Sequence, residues 1–116
     1  MHALHFKESK SGGKIWQLFP QNIYLFESSG HFIKIKHIGG ELIIHQNMIQ
    51  LTTLLEPYKY FKRVHRSFII SELHIKYVEL NRLCLVNNQM IPIGRIYKAS
   101  FFEKYELAAT PQPYLK

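Results

Sequence analysis

The stretch His31-Phe32-Ile33-Lys34-Ile35-Lys36, followed by Gly39-Gly40 and then Leu42-Ile43-Ile44, decides the fold class. Isoleucine alternates with lysine, and a period of two is the signature of a strand with one buried face. Ile33 and Ile35 share the apolar side, and Lys34 and Lys36 share the other. Gly39-Gly40 fits a tight hairpin turn because glycine accepts positive φ without strain. Leu42-Ile43-Ile44 then returns as the second strand.

The same punctuation recurs outward from this hairpin. Ile15 to Phe19 is a short apolar run closed by Pro20. Ile23-Tyr24-Leu25-Phe26 is another, closed by Glu27-Ser28-Ser29-Gly30. Met48, Leu51, Leu54 and Leu55 recur at helical spacing, with Asn47 as the N-cap and Pro57 as the stop. Strand material resumes at Phe61. Ile75 to Leu80 alternates untidily, which fits a bulge or a doubly buried strand. Leu83 and Leu85 precede a turn at Val86-Asn87-Asn88-Gln89, which leads into Met90-Ile91-Pro92-Ile93. Tyr97, Phe101 and Tyr105 lie four apart and predict a short C-terminal helix. The reading is a mainly β domain with one or two short helices.

At 116 residues with 47% hydrophobic content, the chain is long enough for one domain with a real core. Residues 1–13 read as a flexible leader or linker, 14–107 as the folded domain, and 108–116, with Pro111 and Pro113, as a C-terminal tail. Neither a membrane-length apolar stretch nor a signal-peptide core is visible, so the expectation is a cytoplasmic protein. The single cysteine, Cys84, sits in an apolar run and reads as a small buried hydrophobe.

The chain carries a formal charge of +7, so its surface attracts polyanions. The seven histidines are scattered without metal-ligand spacing, and no metal or cofactor is expected. His65 and Ser67 lie two apart but lack a nucleophile elbow or a third orienting group, so no catalytic residue is assigned and no enzyme is expected. The cations are more informative because they recur at element ends. Lys34 and Lys36 follow the His31 loop. Lys62, Arg63 and Arg66 open the run Phe61-Lys62-Arg63-Val64-His65-Arg66-Ser67-Phe68-Ile69-Ile70, which turns apolar without a Gly or Pro break. Arg95 follows Gly94, with Lys98 one helical turn on. Strand parity places Arg63 and His65 away from Arg66, as braces for the loop. Arginine's planar fork matches guanine O6 and N7, or a phosphate.

Three ordered motifs carry a resemblance. Ile23-Tyr24-Leu25-Phe26-Glu27-Ser28-Ser29-Gly30-His31-Phe32, the run 61–70 with His74-Ile75 following, and Ile91-Pro92-Ile93-Gly94-Arg95-Ile96-Tyr97-Lys98 together resemble the LytTR-type DNA-binding domain of bacterial transcription regulators, over about Lys14 to Glu106. The resemblance implies an elongated fold of successive small antiparallel sheets. It implies sequence-specific binding of double-stranded DNA by loop side chains in successive major grooves. Carried over residue by residue, it places base contacts at His31, Arg66 and Arg95. Lys34, Ser67 and Lys98 match phosphate or supporting positions, and Lys36 and Lys62 add sequence-independent attraction. The chain departs from the pattern at Gly94, where serine is commoner, and at Phe32 and Phe68, where tyrosine is common.

Family members usually follow a receiver domain of a two-component response regulator, or sometimes a membrane segment. The resemblance therefore leaves two contexts, a fragment of a longer regulator with an upstream receiver or sensor partner, or a stand-alone domain. Pairs of copies on direct-repeat DNA are a family habit. Two alternatives stay open: single-stranded nucleic-acid binding by stacking on Phe or Tyr, and a protein-interaction module on the same fold. Most aromatics lie in apolar runs, which speaks for core rather than a stacking platform.

Overall fold

The computed structural model describes residues 2–10, 12–103 and 105. Among the described residues ten strands form three antiparallel sheets, and the molecule is elongated at 58 × 28 × 25 Å. The strands are β1 (Leu4–Lys7), β2 (Ile15–Leu18), β3 (Ile23–Ser29), β4 (Phe32–His37), β5 (Gly40–Ile44), β6 (Phe61–His65), β7 (Phe68–Ser71), β8 (Ile75–Val78), β9 (Arg82–Leu85) and β10 (Met90–Pro92). Helices α1 (Met48–Leu55) and α2 (Arg95–Phe102) complete the set. The central sheet has the order β5-β4-β3-β7-β6, flanked by the sheet β10-β9-β8 and the hairpin β1-β2.

The alternation in β4 works as predicted. Ile33 and Ile35 are fully buried, and Lys34 and Lys36 are half-exposed. In register, Ile35 lies between Phe26 and Leu42, and Phe26 lies opposite Ile69. This face packs against Met48, Leu51 and Leu55 of α1 and against Leu4, Phe6 and Leu18 of the first hairpin. The opposite face contributes Leu25, Val64 and Ile70 to a second core with Leu83, Leu85, Ile91, Ile93 and Phe101. A central strand buried on both faces has no polar side to show, which is why β3 reads as a continuous apolar run. The α1 cap is also as predicted: Asn47 accepts from Gln50 N at 2.8 Å, and the Gln50 side chain accepts from Asn47 N at 3.1 Å. The untidy segment at Ile75 is a strand with an irregularity between Ile75 and Tyr77.

Three expectations need correction. The stretch 1–13 is not simply a flexible leader, because Leu4–Lys7 is a strand paired with Ile15–Leu18. Leu4 and Phe6 are buried there while His5 and Lys7 are exposed, so a four-residue alternation suffices for an edge hairpin. An antiparallel bridge from Glu8 to Ile44 then ties that hairpin to the edge of the central sheet. The second correction concerns the β4–β5 turn. His37 pairs with Gly40, so the two-residue loop is Ile38-Gly39, and Gly40, at φ 135°, begins the return strand. The third is larger. The run 61–70 is a hairpin rather than one strand, with His65 opposite Phe68 and Arg66-Ser67 as the turn. The expected tail 108–116 lies outside the described residues.

His37 gives the fold a pH dependence. The residue is buried, and burial lowers its pKa from the ordinary 6.5. The unfolded chain therefore takes up a proton before the folded one does. Stability from this group is fully present above about pH 6.5 and is lost as pH falls through the lower folded value. Thermal melts between pH 7.5 and 5 are expected to fall more steeply for the native protein than for His37→Gln. Parallel profiles would show that His37 plays no part.

Candidate nucleic-acid interface

Strand register brings three separated sequence motifs to one end of the central sheet. Ser29 pairs with Phe32, so Gly30-His31 is the β3–β4 turn. Glu27 pairs with Phe68, so the Arg66-Ser67 turn lies at the same end, and Ser28 N donates to Ser67 O at 2.9 Å to join the two turns. Gly94 N donates to Val64 O at 2.7 Å, which fixes the start of α2 beside the end of β6. His31, Arg66 and Arg95 are all exposed along this rim.

The Arg66 turn is built without glycine. Two-residue hairpin loops usually need positive φ. Among the described non-glycine residues only Lys10 and Asn88 have it, so Arg66 and Ser67 do not. The chain reverses instead with a register irregularity between Arg63 and His65. Side chains then hold the reversal. The His65 ring accepts from Ser67 N through Nδ1 at 3.1 Å and meets Phe68 edge-on at 5.5 Å. Arg63 Nη2 donates to Arg66 O at 2.6 Å, and its Nε donates to His65 O at 3.4 Å. The same guanidinium lies over the Tyr97 ring at 5.9 Å. His65 is half-buried and hydrogen-bonded, and Arg63 grips the turn from inside the hairpin.

The remaining cations divide by their partners. Lys34 stands on β4 between Glu27 and Ile43 and lines a groove with Ser9, Lys10, Ser29 and Phe32. Lys36 donates to Gln89 Oε1 at 2.9 Å and lies 3.8 Å from Glu41 Oε2, so it tethers β4 to the β9–β10 turn. Lys62, on edge strand β6, lies opposite Ile70. Lys98 donates to Asn81 Oδ1, a neutral partner that orients its charge without cancelling it. Ser67 contributes its backbone to the turn. Gly94 is the N-cap of α2 with no side-chain cap bond, and a Cβ there would meet the Tyr97 ring edge at 3.1 Å. The rim thus brings His31, Arg66, Ser67 and Arg95 together, whereas Lys36 and Lys98 are drawn toward amides of the smaller sheet.

Sequence reasoning missed His45. It follows β5 at the same end of the sheet, its ring lies 5.3 Å from Phe32, and it shares a polar groove with Gly30, His31, Gln46, Asn47 and Gln50. The hairpin register carries the signal, since Ile33 opposite Ile44 puts position 45 beside position 32. Among the described residues no group of three or more His, Cys, Asp or Glu side chains could hold a metal ion. No described helix is long and apolar enough to cross a membrane.

A β scaffold that gathers basic loops at one end presents a surface suited to a polyanion. The LytTr DNA-binding domain model matches residues 13–106, and the chain belongs to that family. A solved structure described as the LytTr DNA-binding domain of a methyl-accepting/DNA response regulator from Bacillus cereus superposes with a TM-score of 0.73. The two are 19% identical, over 89% of this chain and 95% of that one, which establishes a shared fold. No curated protein matches the sequence significantly.

Proposed function

We propose that this chain binds double-stranded DNA sequence-specifically, as the DNA-binding domain of a cytoplasmic bacterial transcription regulator of the response-regulator type. His31, Arg66 and Arg95 read base edges from loops that enter successive major grooves. Lys34, Lys36, Lys62, Ser67 and Lys98 supply phosphate or supporting contacts. The DNA-binding unit runs over 14–107, with β1 packed onto it. The observation that carries the reading is the convergence of the two sheet turns and the α2 start on one rim. Arg66 and Arg95 are exposed there, and an arginine fork can pair with guanine.

Selection from a random duplex pool tests this directly. The expected result is a defined motif, with a spacing that also reports whether two copies bind on direct repeats. Failure to enrich any sequence would overturn the reading. Single-strand binding by stacking is disfavoured by where the aromatics lie. Phe6, Phe26 and Phe101 are buried, and Trp16, Tyr58 and Phe61 pack against the core. A duplex should therefore outcompete a single strand of equal length.

Lys34 tests the phosphate part. Lys34→Ala should weaken all duplexes about equally and reduce the slope of log affinity against log salt by about one unit. A change confined to the selected sequence would make Lys34 a base reader instead.

A further inference from the structure

Arg63 bonds to both sides of the rim. Its guanidinium donates to the carbonyls of His65 and Arg66 and lies over the Tyr97 ring, 5.9 Å from the centroid. Tyr97 is the third residue of the helix that Arg95 begins, and Tyr97 N itself donates to Gly94 O at 2.9 Å. One side chain therefore spans the turn that carries Arg66 and the helix start that carries Arg95. The neighbouring backbone bond, Gly94 N to Val64 O, runs between the same two elements. Ile93 and Phe101 pack into the second core with Val64, and the contact of Arg63 on Tyr97 adds a side-chain tie at the exposed end of the same junction.

We infer that Arg63 is a positioning residue that sets the relative orientation of Arg66 and Arg95, so that the two read DNA as one rigid pair. The inference rests on the proposed rim and deepens it. The geometry requires a guanidinium. Two donors of one fixed fork reach adjacent carbonyls while the delocalised cation lies over a ring. Lysine keeps the charge but has neither the fork nor the delocalisation. Arg63 is half-buried and committed to three protein partners, so its contribution passes through Arg66 and Arg95 rather than through a phosphate.

The test compares Arg63→Lys with the native chain on two probes, the best duplex from the random pool and a scrambled duplex of equal length. The selected duplex should lose about tenfold in affinity, similar to the loss of one arginine fork, while the scrambled duplex changes by less than about twofold. The salt slope should stay the same, since no phosphate contact is removed. Tyr97→Phe, which keeps the ring, should bind like the native chain, and Tyr97→Leu should reproduce the Arg63→Lys loss. Equal weakening of both probes would overturn the inference, as would full specificity in Arg63→Lys.

Arg66→Ala and Arg95→Ala run in parallel. If they too leave specificity intact, the rim reading itself fails. If they lose it and Arg63→Lys does not, only the positioning role fails. Free protein supplies a readout that needs no DNA. Backbone NMR of Arg63→Lys should show new exchange broadening at both Arg66-Ser67 and Gly94-Ile96, with β1 and β2 unchanged. Broadening confined to the turn would refute the link to α2, and broadening throughout would mark a general folding defect and refute the role as well.

Discussion

Arg66→Ala is expected to weaken binding to the selected duplex by about 1–3 kcal/mol, roughly fivefold to more than a hundredfold, and to relax the preference at one base pair. The argument starts from exposure. Arg66 occupies the exposed tip of the β6–β7 turn, and among the described residues its guanidinium has no hydrogen-bond partner. What Arg63 holds is the Arg66 carbonyl, which an alanine would keep. The turn should therefore survive, and the thermal midpoint should move little, as for most surface substitutions. Random duplex should lose only the share of one cation in counterion release. Binding curves on the selected duplex and on single-base variants of it check all of this. An unchanged preference at every position would remove Arg66 from the base readers.

Phe26→Ala is expected to be the most destabilising single truncation considered, at about 3–5 kcal/mol. Phe26 is fully buried at the middle of β3, and its ring lies 5.6 Å from Phe61 and 6.2 Å from Phe6. Those two partners belong to the edge strand β6 and to the first hairpin, so one ring joins three parts of the fold. The loss has two sources, the transfer free energy of the ring and the unfilled cavity between rigid strands. Against a typical domain stability of about 5–15 kcal/mol this is a large fraction. Urea unfolding followed by circular dichroism checks it. Under conditions where Phe26→Ala remains folded, its preference among duplexes should match the native one. A loss below about 1 kcal/mol would mean that this core is loosely packed.

The two substitutions separate what local patterning can reveal from what it hides. The lysine and isoleucine alternation of β4, the Asn47 cap and the Pro57 stop are local, because each follows from the chemistry of a few neighbouring residues. Strand β1 was hidden because four alternating residues on an edge give little periodic signal, and the polar stretch 8–14 looks the same in a linker as in a hairpin loop. The β6–β7 turn was hidden for a different reason. Turns are recognised by Gly, Pro, Asn or Asp, whereas here Arg63 and His65 hold the reversal, from two and three positions away, by bonds to Ser67 and to two carbonyls. His45 was hidden because its neighbours are cross-strand partners rather than sequence neighbours.

The sequence by itself determined a mainly β domain with a basic surface, and its three ordered motifs pointed to the LytTr family. Those properties reside in residue identity and spacing. Only the tertiary structure decided which cations share a rim, which are held by Gln89 and Asn81, and that Arg63 touches the elements bearing both Arg66 and Arg95. Residues 31, 66 and 95 lie at one end of the sheet because antiparallel register and the bond from Gly94 to Val64 place their elements there. Register depends on side-chain packing across the whole sheet, and no local window of sequence contains it.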